Sequence, residues 1–285
     1  MIAGFRFSEG SVYEMKINNL PAHLIDQVRQ KNPVVLTVAN DVTAGKVADA
    51  LSACGVSPIM SKAPEEAQAM VSLADAITIN LGTINQPQLA LIRAILDANA
   101  GRRPVVLDPV AVGSADYRLT IAKQLLNDYY FSVIRGNASE IAALVGFAPA
   151  GHGIDAGGIQ YDPVLLAKQC AHHYHTCVLL TGRTDVVTDG QDVFLNPTSS
   201  PMLTVNVGSG DMLSSLTAAY LTVGESPITS SAVIATAFSM AGATAAQHTL
   251  GLGQWQARFF DELSQLTSER FTSQLTHGKD DNNDQ

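Results

Sequence analysis

Short apolar runs alternate with amphipathic stretches along most of this chain. The runs, such as Val34–Ala39 and Val105–Pro109, are rich in valine, isoleucine and leucine, which is typical of strands buried on both faces. In the stretches between them, such as Pro87–Ala98, apolar residues recur with the period of a helix. This alternation predicts an α/β fold in which helices cover both faces of one mostly parallel sheet. In such a sheet, ligands bind beyond the carboxyl ends of the strands.

The same pattern gives the bounds of the predicted elements. The predicted strands are Val34–Ala39, Ser57–Ser61, Ala76–Leu81, Val105–Pro109, Phe131–Arg135, Cys177–Leu180, Asp185–Thr188 and Asp192–Leu195. The predicted helices are Val42–Cys54, Pro64–Leu73, Pro87–Ala98, Ile121–Asn127, Ser139–Val145, Pro163–His173, Met212–Leu221, Ser230–His248 and Gln256–Leu266. A further helix is predicted to open at Met15.

A single domain is predicted over residues 15–270, because no linker or internal repeat divides this part of the chain. Residues 1–14 lack a clear period and are predicted to be an N-terminal extension, with Met15 as an alternative start. Residues 271–285 end in a polar, acidic run that predicts a disordered tail. The glycine-rich segment Ala148–Gly158 also lacks a period and predicts a mobile surface loop.

Charge and cysteine content narrow the class of protein. The 285 residues include 17 basic and 26 acidic side chains, a net charge of −9 that argues against nucleic acid and anionic membranes as partners. The three cysteines form no even framework and are predicted to be reduced. The N-terminus lacks a secretory signal, and the apolar stretch Ala232–Ala246 is shorter than the ~20 residues of a membrane span. We therefore expect a cytoplasmic protein in which Ala232–Ala246 is a buried helix.

A glycine-rich turn, Gly208-Ser209-Gly210-Asp211, leads directly into a predicted helix. Free backbone N–H groups at the positive end of a helix dipole make an anion site, and phosphate is the expected anion. A carboxylate at Asp211 suits a second task, which is to accept the proton of an alcohol that attacks a phosphoryl group. The structural alternative is that Asp211 only caps the helix.

Three strand ends place further polar side chains at the same predicted edge of the sheet. Asp108 lies at the end of one buried strand, Arg135 ends the next and is followed by Glu140, and Thr181 ends a third. A buried carboxylate is costly unless a cation, water or partner reaches it. Together these residues provide two carboxylates suited to a divalent metal, a cation for phosphate and a hydroxyl donor. The combination predicts a site for phosphoryl transfer.

The order and spacing of these motifs resemble the hydroxyethylthiazole kinase family of the ribokinase-like superfamily. The resemblance runs from Asn19 to about Leu266, and its most distinctive piece is the run Arg135-Gly136-Asn137-Ala138-Ser139-Glu140. The other matching runs are Ser57-Pro58-Ile59-Met60, Asn80-Leu81-Gly82-Thr83, Asp108-Pro109-Val110, Thr181-Gly182 and Gly208-Ser209-Gly210.

The resemblance implies a three-layer α/β/α sandwich and an ATP-dependent kinase of thiamine biosynthesis or salvage. The implied reaction phosphorylates the hydroxyethyl group of 4-methyl-5-(2-hydroxyethyl)thiazole, in a homotrimer with active sites between subunits. The implied roles are catalysis by Asp211 with the turn Gly208, Ser209 and Gly210; alcohol binding by Met60 and Gly208; ATP binding by Arg135 and Thr181; and organisation of Mg²⁺, through waters, by Asp108 and Glu140.

The chain departs from the family pattern at two places. Asp211 stands where many members have cysteine, and an aspartate is already ionised at neutral pH. Leu36 and Thr37 stand where the family usually has a His-Asn pair, which removes polar groups from the expected substrate pocket. Two alternatives therefore stay open: an ADP/ATP-dependent NAD(P)H-hydrate dehydratase, which also uses a Gly-Ser-Gly-Asp turn, and a non-catalytic ligand-binding member of the fold.

Overall fold

The structure is a computed structural model that describes residues 14–147, 162–224, 226–247 and 249–277. In these residues a sheet contains the strands β1 (Glu14–Met15), β2 (Val34–Val38), β3 (Ser57–Ile59), β4 (Ala76–Asn80), β5 (Val105–Asp108), β6 (Val133–Asn137), β7 (Cys177–Thr181), β8 (Asp185–Thr188) and β9 (Val193–Asn196). Their order is β1-β9-β8-β7-β6-β5-β4-β2-β3. Strands β2 to β7 are all parallel, whereas β8 is antiparallel to β7 and β9.

The helices of the described residues are α1 (His23–Lys31), α2 (Ala44–Ala53), α3 (Ala67–Leu73), α4 (Gln86–Asn99), α5 (Asp116–Asp128), α6 (Ala138–Leu144), α7 (Pro163–Tyr174), α8 (Pro201–Val205), α9 (Ser209–Tyr220), α10 (Pro227–Ala246), α11 (Leu252–Ser264) and α12 (Ser268–His277). Short 3₁₀ turns occupy Ile17–Asn19 and Pro64–Glu66. Each predicted strand is present with bounds shifted by at most two residues.

The core consists of two apolar layers, one on each face of the sheet. Helices α1, α2, α9, α10, α11 and α12 pack on one face, and α3 to α7 pack on the other. Successive residues of a strand point to opposite faces, so Ala76 belongs to the first layer and Ile77 to the second. The predicted three-layer α/β/α architecture is therefore confirmed.

Helix α10 is long and apolar enough to cross a membrane by length and composition alone. In the described structure, 83% of its most apolar 18-residue window is buried inside the protein. The indole N–H of Trp255 on α11 donates to the carbonyl of Gly242 on α10 at 2.9 Å, and Trp255 is fully buried. The predicted buried helix is thus a core helix of the domain.

Two predicted bounds near the chain ends are wrong. Met15 lies in a strand rather than a helix, because Glu14 and Met15 pair with β9. The tail does not begin at residue 271, because α12 continues to His277 and Phe271 is fully buried in the first core layer. Burial of Phe271, together with packing of Leu275 against the same core layer, keeps this segment on the domain. The predicted loop at 148–158, residues 1–13 and residues 278–285 lie outside the described residues.

Candidate active site

The predicted site residues meet at the carboxyl edge of the parallel strands. Asp108 is the last residue of β5, and Thr181 is the last residue of β7. Helix α9 begins above this edge, and its Ser214 hydroxyl donates to Asp108 Oδ2 at 2.7 Å. The glycine turn at the start of α9 and the acids that follow β5 and β6 therefore share one region of the sheet.

The turn before α9 depends on a glycine at position 208. Gly208 is the N-terminal cap of α9 and has a φ of +97°, a conformation that L side chains rarely adopt. A Cβ there would lie 2.9 Å from Cγ2 of Thr43. The Ser209 hydroxyl donates to the carbonyl of Asn206 at 2.9 Å, and this bond within the turn stabilises its conformation. The first N–H groups of α9 have no helical acceptor and carry the positive end of its dipole.

Arg135 lies directly against this turn. A Cβ at Gly210 would overlap Nη1 of Arg135 and lie 2.9 Å from its Cζ. Nη2 of Arg135 donates to Thr181 Oγ1 at 2.7 Å, and Nη1 lies 3.5 Å from Asp108 Oδ2. The arginine side chain is only 13% exposed. A fixed guanidinium beside the N-terminus of a helix is well suited to bind a phosphate group.

Asp108 is fully buried, and its Oδ1 has no hydrogen-bond partner among the described residues. The pKa of Asp108 is raised to about 7, and burial is the largest cause. The charge of Arg135 opposes this rise, the negative charges of Asp211 and Glu140 contribute to it, and the hydrogen bond from Ser214 lowers the pKa slightly. An unpartnered buried carboxylate oxygen is costly. Oδ1 of Asp108 could therefore accept from a water or bind a cation.

Glu140 has both carboxylate oxygens bound to backbone N–H groups. Oε2 accepts from Asn137 at 2.8 Å and Oε1 accepts from Ala111 at 2.8 Å. With Asn137, which accepts from the Glu140 amide at 3.0 Å, it forms a capping box at the start of α6. Ala111 has a φ of +57°. Glu140 thus ties the loop after β5 to the end of β6 and brings a second negative charge near Asp108.

Magnesium fits these two acids only with help from other ligands. Among the described residues, no group of three or more His, Cys, Asp or Glu side chains is arranged to hold a metal ion. Asp108 is fully buried and its Oδ1 has no partner among the described residues. Each Glu140 oxygen accepts one backbone N–H and has one further lone pair for a metal or a water. Mg²⁺ commonly takes one or two carboxylates and fills its other positions with waters and substrate phosphates. The residues present fit that kind of site.

Asp211 is surrounded by donors that the sequence interpretation did not include. Its Oδ2 accepts from Asn40 Nδ2 at 2.7 Å and from the Thr43 hydroxyl, and its Oδ1 accepts from Asn80 Nδ2 at 3.0 Å. These donors come from the loop after β2 and from the last residue of β4, so Asp211 is held by other segments instead of capping its own helix. Asn40 and Asn80 are polar residues at strand ends, which is the signal that could have identified them.

Two other predicted features lie on or beside the strands β2 and β3. Met60 follows the edge strand β3, and 36% of its surface is exposed. Leu36 and Thr37 lie inside β2, where Leu36 is buried in the second core layer and the Thr37 hydroxyl lies 3.3 Å from that of Ser215. The departure at Leu36 and Thr37 therefore changes the interior of β2, and the polar group at the end of this strand is Asn40.

Comparison with known proteins identifies close relatives. Residues 25–269 match the model of the hydroxyethylthiazole kinase family. A hydroxyethylthiazole kinase of Limosilactobacillus reuteri (strain DSM 20016) is 52% identical over 258 residues, which cover 90% of this chain and 96% of the relative. The solved hydroxyethylthiazole kinase of Pyrococcus horikoshii OT3 is 30% identical with a TM-score of 0.77, over 86% of this chain and 92% of that one.

A more distant solved structure bears on the fold alone. A ribokinase-like superfamily protein of Enterococcus faecalis V583 is 11% identical and has a TM-score of 0.61, with coverage of 93% of this chain and 100% of that chain. The predicted ribokinase-like fold is confirmed by these similarities.

Proposed function

Because this chain belongs to the hydroxyethylthiazole kinase family and is therefore a kinase, we propose that it transfers the γ-phosphoryl group of ATP to the hydroxyethyl oxygen of 4-methyl-5-(2-hydroxyethyl)thiazole. One observation carries the proposal. The Asp211 carboxylate and the Arg135 guanidinium both lie at the turn that opens α9. A proton acceptor and an anion site are thus adjacent, as transfer from a phosphate to an alcohol requires.

In this reaction Asp211 takes the proton of the substrate hydroxyl as its oxygen attacks the γ-phosphorus. A new O–P bond forms, the bond from the γ-phosphorus to the bridging oxygen breaks, and ADP leaves with that electron pair. The N–H groups of Gly208 and Gly210 stabilise the charge that develops on the transferred group. The N–H of Ser209 donates to the carbonyl of Asn206 at 3.2 Å and so holds the shape of the turn. Arg135 adds a fixed positive charge, and it donates to the hydroxyl of Thr181 beside it. Both residues would bind ATP.

Asp108 and Glu140 would hold Mg²⁺ together with waters and the phosphates of ATP, and the bound ion would neutralise phosphate charge. The unpartnered Oδ1 of Asp108 and the remaining lone pairs of Glu140 support this assignment. Glu140 also keeps the loop after β5 in place, so its removal would affect both the metal and that loop.

We also infer a cytoplasmic homotrimer in which the alcohol binds near Met60 and Gly208. The exposure of Met60, next to the edge strand β3, supports a role for this residue at a surface completed by another subunit. The three free cysteines are buried, which supports a reducing environment.

The two alternatives have less support than kinase activity. The dehydratase alternative was based on the glycine turn, which is shared across the superfamily, whereas the kinase resemblance covers most of the chain. The non-catalytic alternative rests on Leu36 and Thr37, but Leu36 is buried in the second core layer, and the donors to Asp211 are Asn40, Thr43 and Asn80.

A screen of ADP release tests the proposed function. Purified protein with Mg²⁺ and ATP is offered a panel of vitamin-precursor alcohols, and products are identified by mass spectrometry. We expect the thiazole alcohol to give the highest kcat/KM and one phosphorylated product per ADP. A clearly higher kcat/KM for another alcohol would reject the substrate, and recovery of NADH from its hydrate would favour the dehydratase.

A further inference from the structure

Thr43 occupies the position before the first residue of α2, where a threonine hydroxyl usually caps its own helix. Here it makes no such bond. Its side chain is 3% exposed, and its hydroxyl donates to Oδ2 of Asp211 instead. An ionised carboxylate only accepts hydrogen bonds, so the hydroxyl must be the donor. The hydrogen bond from Thr43 to a carboxylate 168 residues away therefore does not cap α2, and its effect is on Asp211.

The amides of Asn40 and Asn80 can face Asp211 only with their NH₂ groups. Oδ1 of Asn40 accepts from the backbone N–H of Val42 at 2.9 Å and of Thr43 at 3.1 Å. Oδ1 of Asn80 accepts from the N–H of Gly82 at 2.8 Å. Backbone donors cannot be exchanged for acceptors, so they fix the orientation of both amides. Both amides can therefore only donate to Asp211.

These donors are divided unequally between the two oxygens of Asp211. Oδ2 accepts from Asn40 and Thr43, whereas Oδ1 accepts from Asn80 alone. A carboxylate oxygen has about two lone-pair positions in its plane. Both positions of Oδ2 are occupied by protein donors, and one position of Oδ1 stays available for a substrate hydroxyl.

We propose that Thr43 is a positioning residue for phosphoryl transfer: by occupying Oδ2 of Asp211 it leaves Oδ1 as the atom that accepts the proton of the alcohol. This inference rests on the proposed role of Asp211 as the base. No part of Thr43 needs to touch the substrate. Its contribution is to hold the carboxylate in one orientation while the hydroxyl oxygen approaches the phosphorus.

The methyl group of Thr43 has a separate contact that can be varied independently. A Cβ at Gly208 would lie 2.9 Å from Cγ2 of Thr43, so the methyl packs against the turn that binds the anion. Thr43→Val keeps a methyl at this place and removes the hydroxyl. Thr43→Ser keeps the hydroxyl and removes the methyl. The pair therefore separates the orientation of Asp211 from packing against the turn.

The test is a double-mutant cycle with the thiazole alcohol, ATP and Mg²⁺. In the wild-type background, Thr43→Val is expected to lower kcat about 10- to 100-fold with little change in KM for ATP. Thr43→Ser should restore kcat to within about threefold of the wild type. In an Asp211→Ala background, Thr43→Val should have no further effect on the residual rate, because it acts through Asp211. If the Val variant does not fold, Thr43→Ala replaces it in the same cycle.

A matched control is Thr78→Val, because the Thr78 hydroxyl is buried without a hydrogen-bond partner among the described residues. This control should leave kcat unchanged. The positioning role is rejected if Thr43→Val lowers kcat equally in both backgrounds, or if it leaves wild-type kcat unchanged. If Asp211→Ala itself keeps the wild-type kcat, Asp211 is not the base, and the role proposed for Thr43 is rejected with it.

Discussion

The two sides of the candidate site hold their carboxylates in opposite ways. On the side of β2 and β4, Asp211 accepts hydrogen bonds from Asn40, Thr43 and Asn80, and each donor is uncharged. On the side of β5 to β7, Asp108 is buried with one oxygen unpartnered and faces the charged group of Arg135. The first side fixes the direction of a carboxylate, whereas the second concentrates charge.

This difference suggests a division of labour at one edge of the sheet. A base needs a defined orientation more than it needs a counter-ion, and neutral donors provide orientation. Binding of phosphate and metal needs charge that is already in place before the ligand arrives. Variants on the charged side should therefore affect ATP and stability together, and variants on the neutral side should affect kcat alone.

The largest effect is expected from Arg135→Met, which removes the cation shared by Asp108, Thr181 and the turn at Gly210. We expect kcat/KM for ATP to fall about 10²- to 10³-fold, because a fixed donor to the phosphoryl group is lost. Steady-state kinetics with varied ATP would measure it. Arg93→Met is a matched control, since Arg93 forms an exposed ion pair with Asp128 at 3.3 Å, and such pairs contribute little. A fall below about threefold for Arg135→Met would contradict the division of labour.

An intermediate effect is expected from Asp108→Asn on the pH dependence of stability. The folded-state pKa of Asp108 is raised to about 7, so as pH rises from about 4 to about 7 the unfolded chain loses its proton first and the free energy of unfolding falls. Asparagine does not titrate.

Between pH 5 and pH 8, the free energy of unfolding of Asp108→Asn relative to the wild type should therefore increase by ~2.5 kcal/mol. Urea unfolding of both proteins in a chelating buffer measures the change. An equal difference at the two pH values would mean that Asp108 has no raised pKa in the metal-free protein.

A smaller effect is expected from Gly210→Ala. The added Cβ would displace the guanidinium of Arg135 from its position against the turn, so kcat/KM for ATP should fall about 10-fold while kcat for the bound complex changes less. The matched control is Gly45→Ala on α2, where a Cβ would meet nothing within 4 Å. If Gly210→Ala and Gly45→Ala have the same kcat/KM for ATP, the contact between Gly210 and Arg135 does not contribute to ATP binding.

Much of the fold could be predicted because its signals are local. The buried strands are visible as apolar runs in the sequence, and their alternation with helices predicts a sheet with helices on both faces. The segment around Phe271 was assigned to the tail because it leads into the acidic end of the chain, although Phe271 and Leu275, four residues apart, both pack against the first core layer. The strand at Glu14 and Met15 is a different case: two residues carry no period, and only pairing with β9 defines them.

The charged members of the site were predictable, whereas most of the contacts between them were not. Asp108, Arg135 and Asp211 stand out because a charge beside a buried strand or a glycine turn needs an explanation. The contact of Arg135 with Gly210 depends on segments far apart in the chain, which no local pattern encodes. The spacing of Asn137 and Glu140 is a recognisable capping-box signal, so the structural task of Glu140 could have been predicted beside the metal task.

The central claim is that Asp211 is the base of a phosphoryl transfer to an alcohol. The most direct measurement is the single-turnover rate of Asp211→Asn with the thiazole alcohol, alongside its affinity for ATP by calorimetry. The account predicts a rate at least about 10²-fold below that of the wild type, with the Kd for ATP within about twofold of the wild-type value. A variant that transfers phosphate at the wild-type rate would contradict it.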